Sequence, residues 1–413
     1  MKSKRIVAAL LAMMLAVTAM TACGSSDSSD GTTSGNSSTV QSEDGNTSKN
    51  EQTGDIDMEG LTAINDSTAK RVGRTYIGDD NTLWLALSGS GAEFTYTGKK
   101  LELTIKGDNV AKAGNDGNNA RVAVYVNGER TSDVMIDAPE VKITAFESAE
   151  AQTVDIKVIK LSECAMSCCG IMPVKLDDGE SLTPVEAKER KIEFIGDSIT
   201  CGYGVDDEVK ENHFQTKTED VTKAYAYKTA MALDADYSMF SVSGYGIISG
   251  YTTGKEPVTA QTIPQYYGSL GFSYGSFDGK TPQSLDWDFE AFKPQVVVIN
   301  LGTNDASYTK SNKDGKEQYK QGYIDFLKQV REKNPDAEIF CTLGIMDNTL
   351  VKTMAEAMKA YMDETGDQKV HAVQYDLQDG NNDGYAADWH PTEATHEKAS
   401  AKLTEEIKKV MNW

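Results

Sequence analysis

Four short segments carry residue types that together could perform acyl transfer. In the first, Phe194-Ile195-Gly196-Asp197-Ser198-Ile199-Thr200-Cys201-Gly202-Tyr203-Gly204, a serine sits on a glycine-bearing turn straight after an apolar run. A hydroxyl so placed is exposed, with main-chain N–H groups close by. A nucleophilic serine needs that setting, because it is inert without a base and a pocket of hydrogen-bond donors. Gly-Asp-Ser alone is common in turns and carries little weight. The second segment is Val242-Ser243-Gly244-Tyr245-Gly246, where Gly244 could bring its N–H up to a developing oxyanion with no side chain in the way. Viewed alone, a plain turn explains it equally well, and a phosphate cradle would want a lysine that is missing. The third, Ile299-Asn300-Leu301-Gly302-Thr303-Asn304-Asp305, offers the Asn304 amide as a neutral oxyanion donor, or else a cap for the next helix.

The fourth, Asp388-Trp389-His390-Pro391, supplies the base. The chain has four histidines, His213, His371, His390 and His396. His371 opens a buried strand and reads as packed, His396 falls on a solvated face of the last helix, and His213 sits in a charged loop. By elimination and position, His390 is the general base. Cys201, three residues after Ser198, reads as a small residue packed behind the turn rather than a thiol nucleophile. Asp379-x-Asn381-x-Asp383-Gly384 imitates the start of a calcium loop. Its twelfth position would be His390 rather than glutamate, so it reads as a polar turn. No metal or cofactor is expected.

The elements that must position these groups fall into two regions. From about Thr68 to Val174 the apolar period is two, as in Leu83-Trp84-Leu85-Ala86-Leu87, Phe94-Thr95-Tyr96, Leu101-Glu102-Leu103-Thr104-Ile105 and Val122-Ala123-Val124-Tyr125-Val126, punctuated by Thr97-Gly98 and Asn127-Gly128. Short strands with no helix between them indicate an antiparallel sandwich, assigned to 67–186. After Pro184 the pattern changes. Strands are expected at Ile192–Ile195, Tyr237–Val242, Val296–Leu301, Glu338–Leu343 and Val370–Tyr375, and helices at Ala224–Leu233, Gln318–Lys333, Val351–Asp363 and Glu393–Met411. That alternation gives an α/β parallel sheet covered on both faces over 187–413, whose ligand site lies beyond the carboxyl ends of its strands. All four segments follow or flank such ends.

Ahead of both regions, Lys2, Lys4 and Arg5 precede an apolar run from Ile6 to Val17, then Met20-Thr21-Ala22-Cys23. This is an export signal, assigned to 1–22, too short to be read as a membrane span. Residues 23–66, largely Ser, Gly, Asp, Asn and Thr, read as a flexible tether. The net charge is −22, and removing the signal takes three cations and no acid. A surface this acidic repels phosphate backbones, which excludes nucleic acid as a partner and leaves neutral substrates unopposed. Cys164, Cys168, Cys169, Cys201 and Cys341 are too few for a disulfide scaffold and lack zinc-ligand spacing. One disulfide within the Cys164 cluster, or buried thiols, remain as readings, the thiols favoured.

Met20 to Cys23 resemble a bacterial lipobox, which implies acylation of Cys23 and a lipid anchor on the outer face of the cell membrane. The four chemical segments resemble, in order and place, the blocks of the SGNH hydrolases: Gly196-Asp197-Ser198, Gly244, Gly302-Thr303-Asn304-Asp305 and His390. The β-module ahead of them makes the chain similar to carbohydrate esterase family two. That resemblance implies a flavodoxin-like three-layer hydrolase domain behind a jelly-roll-like sandwich. It also implies a carbohydrate acetylesterase that removes 6-O-acetyl groups from gluco- or manno-configured polysaccharides such as glucomannan, with xylan also accepted, through Ser198 and His390. The oxyanion would be held by the N–H groups of Ser198 and Gly244 with the Asn304 amide. Trp389, Trp287, Tyr203 and Tyr245 are candidate stacking platforms for a pyranose ring. Where the superfamily places an aspartate three residues before its histidine, this chain has Ala387. The orienting group is therefore either the Asp388 carboxylate or a backbone carbonyl, as in some family-two enzymes. Rival readings are an esterase for lipids or peptidoglycan acetyl groups, and a glycan-binding surface lipoprotein without catalysis.

Overall fold

A computed structural model describes residues 60–115, 117–310 and 312–413. The export signal, Cys23 and most of the tether lie outside the described residues. Among the described residues no helix is long and apolar enough to cross a membrane.

The sandwich is built from β1 (Leu61–Thr62), β2 (Lys70–Val72), β3 (Thr75–Ile77), β4 (Leu83–Leu85), β5 (Gly91–Gly107), β6 (Ala120–Val126), β7 (Glu129–Ile136), β8 (Glu140–Lys160), β9 (Cys169–Ile171), β10 (Val174–Lys175) and β11 (Ser181–Pro184). Every pairing among them is antiparallel. Period-two patterning turns Phe94, Tyr96, Leu101, Leu103 and Ile105 inward, where they meet Ile143, Val154, Ile156 and Val158 of β8 in one apolar core. Thr97-Gly98 is not the turn that the sequence suggests. β5 runs through it as one strand of 17 residues and absorbs the break as register shifts against β8. Asn127 and Gly128 do make the β6–β7 turn, with φ of 50° and 85°. The polar stretch also ends earlier than expected. Leu61 and Thr62 pair with β10, and Ile64 is buried in the sandwich core, because apolar surface there has a partner.

The second region forms a five-stranded parallel sheet in the order β13-β12-β14-β15-β16, with β12 (Arg190–Gly196), β13 (Ala235–Ser241), β14 (Val296–Asn300), β15 (Glu338–Ile345) and β16 (Val370–Leu377). Its helices are α1 (Ser198–Cys201), α2 (Tyr225–Ala232), α3 (Thr303–Thr309), α4 (Lys313–Lys333), α5 (Val351–Thr365) and α6 (Glu393–Met411). Alternate residues of the strands feed two cores. Ile195, Ile299 and Leu343 pack against Tyr323 and Leu327 of α4 and Met354 of α5. Phe194, Val298 and Phe340 pack against Tyr225 of α2 and Leu403 and Ile407 of α6. The two cores, one on each set of strand residues, make a three-layer packing of helix, sheet and helix. Sequence periodicity did not reveal α1 and α3, which are too short to show a helical stripe. They are the turns on which Ser198 and Asn304 ride.

Residues 60 to 413 form one compact unit. Side-chain pairs tying the sandwich to the second region include Lys70 to Asp236 at 2.7 Å, Arg74 to Glu193 at 2.9 Å, Arg121 to Asp206 at 2.6 Å and Arg130 to Asp220 at 2.8 Å. Arg74 is fully buried, its guanidinium also donating to the carbonyls of Tyr267 and Ser269. This buried pair, with both terminal guanidinium nitrogens bonded, sets the docking register.

Candidate active site

In this strand order the chain reverses direction of winding between β12 and its neighbours β13 and β14, and a crevice opens beyond their carboxyl ends. Ser198 follows β12, Gly244 follows β13 and Asn304 follows β14. Asp197 caps α1, its carboxylate accepting from Ile199 N–H at 3.0 Å, and this sets Ser198 at the first helical position with its side chain at the rim.

His390 comes to the same place from the far end of the chain. Its Nε2 lies 2.9 Å from Ser198 Oγ and its Nδ1 lies 3.2 Å from the main-chain oxygen of Asp388. A carbonyl can only accept, so Nδ1 carries the proton and Nε2 presents its lone pair to the serine hydroxyl. Burial pulls the imidazole down to about 4, with the Asp388 carbonyl acting the other way, so the ring is neutral at physiological pH. Tyr203 stacks on the ring with centroids 3.9 Å apart.

The Asp388 carboxylate does not orient the histidine. It accepts from Tyr203 Oη at 2.9 Å and from Phe214 N–H at 2.9 Å, and lies 3.2 Å from His213 Nδ1. The cause is local backbone shape. Asp388 and Trp389 both have positive φ, 49° and 63°, which turns the carbonyl of residue 388 under His390 and its side chain away. A left-handed tryptophan costs of order 1–3 kcal/mol, and surrounding bonds hold it. Gln378 Nε2 donates to the Trp389 carbonyl at 3.0 Å, and the N–H of Asp388 donates to the Asn212 carbonyl at 3.0 Å. Ala387 is fully buried against Gly204, where an added Cβ would come within 2.7 Å of the Ala387 Cβ.

The N–H groups of Ser198 and Gly244 have no protein acceptor among the described residues. Gly244 has φ of 81°, and a Cβ there would meet nothing within 4 Å, so glycine serves the backbone conformation and keeps the approach open. Asn304 Nδ2 lies 2.9 Å from the Tyr245 carbonyl and 3.2 Å from Asp197 Oδ2. Asp305 is fully buried and accepts from the N–H groups of Ile247, Ile248 and Ser249, tying the loop after Gly244 to α3. Burial raises its carboxyl to about 6 despite those bonds, and raises Asp197 to about 7, with Asp305 adding to that rise. In the sequence, Asp305 stands only as the last residue of the Gly302-Thr303-Asn304-Asp305 block. Only the fold shows which amides it serves.

The aromatic candidates separate. Trp389 is exposed beside His390, with Lys210 Nζ 4.3 Å from its ring centroid and Tyr385 alongside. Tyr203 is no platform, because near-parallel Phe214 and His390 rings cover its faces at 4.1 and 3.9 Å. Tyr245 is buried among Tyr266 and Phe272. Trp287 lines a cleft with Lys191 and Asp236 at the starts of β12 and β13, the opposite edge of the sheet from Ser198. Tyr251, which the sequence reading passed over, is half exposed and donates its N–H to the Gly244 carbonyl at 2.8 Å.

The remaining readings resolve as follows. His396 is not on a solvated face. It is fully buried against Tyr225, whose N–H it accepts at 3.2 Å. His371 lies 2.7 Å from Glu338 Oε2. All five described cysteines are free and buried, and Cys201 Sγ donates to Ser241 Oγ. Asp379 caps its own turn through the N–H groups of Asn381 and Asn382, and Asp383 is paired with Lys398 at 2.6 Å. Among the described residues no group of three or more His, Cys, Asp or Glu side chains could hold a metal ion.

Comparison with known proteins accords with this arrangement. Residues 194–398 match the GDSL-like lipase/acylhydrolase family and residues 71–185 match the carbohydrate esterase 2 N-terminal family. The chain is 32% identical over 350 residues to the cellulase/esterase CelE of Acetivibrio thermocellus, covering 83% of this chain and 39% of that protein's length. It is 25% identical over 351 residues to an acetylxylan esterase/glucomannan deacetylase of Cellvibrio japonicus, covering 85% of this chain and 91% of the relative. A solved family two carbohydrate esterase from Clostridium thermocellum, in complex with cellohexaose, superposes with a TM-score of 0.71 at 31% identity, covering 84% of this chain and 99% of that one. With both of its domains matched and a whole solved relative spanned, this chain belongs to carbohydrate esterase family two, within the SGNH hydrolases.

Proposed function

We propose that this protein is a carbohydrate acetylesterase that works through an acyl-enzyme on Ser198. One observation carries the reading: His390 Nε2 lies 2.9 Å from the Ser198 hydroxyl, and the N–H groups of Ser198 and Gly244 have no protein acceptor among the described residues. His390 Nε2 takes the hydroxyl proton as Ser198 Oγ attacks the acetyl carbon. The oxyanion is held by Ser198 N–H and Gly244 N–H, with Asn304 turning one amide hydrogen from Asp197 toward it. His390 then gives the proton to the sugar oxygen, the sugar alcohol leaves, and water, deprotonated by the same imidazole, releases acetate.

Acetylated glucomannan and xylan, acetylated at 6-O in the former, are the substrates we infer. Support comes from the names of the relatives, the cellohexaose complex, and two exposed aromatic rings, Trp389 beside the base and Tyr251 bonded to Gly244. The acidic chain has no repulsion for such neutral glycans. Export and acylation at Cys23 would place the enzyme on the outer membrane face of a bacterial cell, where polymers of this size are met. Acetate release from the two polysaccharides and from 4-nitrophenyl acetate, by wild type and Ser198→Ala, tests the scheme. Turnover by the alanine variant at the wild-type rate would end it. A preference for long-chain esters or peptidoglycan would redirect the substrate assignment.

A further inference from the structure

The β-sandwich reaches into the loop that carries Gly244. Beyond β8 the chain passes through Ser162, Glu163 and Cys164, all without solvent exposure, and crosses the carboxyl end of β13. There Glu163 Oε2 accepts from the N–H of Ser243 at 2.8 Å, one residue before Gly244. Cys164 Sγ donates to the Ser241 carbonyl at 3.4 Å. The Glu163 N–H donates to Glu219 Oε2 at 2.7 Å, and the buried Lys160 ammonium donates to the carbonyls of Ser162 and Glu163.

The buried Lys160 ammonium favours a charged Glu163, yet burial still raises the Glu163 carboxyl above its ordinary value. Its Oε1 atom and that of Glu219 are buried without a hydrogen-bond partner among the described residues. Two acids so close and so dry repel. What the carboxylate provides is an acceptor for one amide. The loop is thereby held at both ends by buried carboxylates, Glu163 at Ser243 and Asp305 at Ile247 to Ser249. Between them Gly244 has the freest backbone of any residue type, and its N–H must point to within about half an ångström of where charge develops.

Building on the oxyanion reading above, we propose that Glu163 is a positioning residue for the reaction, supplied by the sandwich, which aims the Gly244 N–H by fixing Ser243. The sandwich is then part of the catalytic apparatus rather than a separable module.

The full chain with Glu163→Gln, Glu163→Met and Glu163→Ala tests this, read by thermal unfolding, by kcat and KM on an acetylated oligosaccharide, and by the inhibition constant of a boronic acid that forms a tetrahedral adduct on Ser198. Glutamine keeps an acceptor oxygen and should stay within about threefold of wild type. Methionine and alanine should fold, hold KM within about twofold and lose about a hundredfold in kcat, with the boronic acid weakened in parallel. A folded methionine or alanine variant with wild-type kcat overturns the proposal. So does failure of both to fold while the glutamine variant is normal, since the carboxylate would then serve only stability. An inactive Ser198→Ala beside a fully active Glu163→Met sinks this inference alone, whereas an active Ser198→Ala removes the oxyanion reading beneath it.

Discussion

The main-chain oxygen of Asp388 lies 3.2 Å from His390 Nδ1, while the carboxylate of the same residue ends on Tyr203 and Phe214. The histidine is thus held by a dipole that no titration removes and that a side-chain substitution leaves in place. In a Ser-His-Asp triad the orienting group is an ionised side chain, whose loss costs about 10⁴ in kcat.

Asp388→Asn should therefore keep kcat on 4-nitrophenyl acetate within about tenfold of wild type, far from that triad loss. Asparagine tolerates the positive φ and still accepts from Tyr203 and Phe214. A fall approaching the triad value would mean that the carboxylate swings to the imidazole during turnover.

The acid limb of kcat/KM should fall below the ordinary histidine value. Burial lowers the His390 pKa, so the neutral, proton-accepting form persists as pH drops past 6.5 and is lost only nearer to 4. A pH–rate profile of the wild type checks this, and half-loss above pH 6.5 would contradict it.

Asn304→Ala should lower kcat by about 10²–10³, corresponding to about 3–4 kcal/mol, with a small change in KM. Because Nδ2 also donates to the Tyr245 carbonyl, a thermal melt belongs beside the kinetics. An unchanged kcat would remove Asn304 from the oxyanion site.

Trp389→Ala should raise KM for acetylated glucomannan several-fold, about 1 kcal/mol of stacking, while kcat on 4-nitrophenyl acetate changes little. Trp287→Ala, at the other edge of the sheet, should leave the glucomannan KM unchanged. Equal effects of the two would argue that neither ring contacts sugar.

Asp305→Ala should destabilise as well as slow the enzyme. It leaves the N–H groups of Ile247, Ile248 and Ser249 without their acceptor, at about 1–3 kcal/mol for each one that water cannot reach. A melting temperature equal to wild type would show the loop finding other acceptors.

Much of this molecule is legible in its sequence by itself. Val296–Asn300 is a near-continuous β-branched run, Glu393–Met411 has helical spacing, and the strands of 67–186 alternate, because side-chain period follows backbone geometry residue by residue. Three of the chemical segments, those of Ser198, Gly244 and Asn304, stand out for the same reason: each is a local turn at a strand end, spelled by glycine and its neighbours. Tertiary structure alone decided the rest. Whether Tyr203 is covered, His396 buried, Trp287 remote or Glu163 bonded to Ser243 depends on residues brought together from distant parts of the chain. The choice between carbonyl and carboxylate at residue 388 was likewise a matter of packing. Two left-handed residues, stabilised by Asn212, Phe214 and Gln378, set it, and such a conformation has no signature in composition or periodicity.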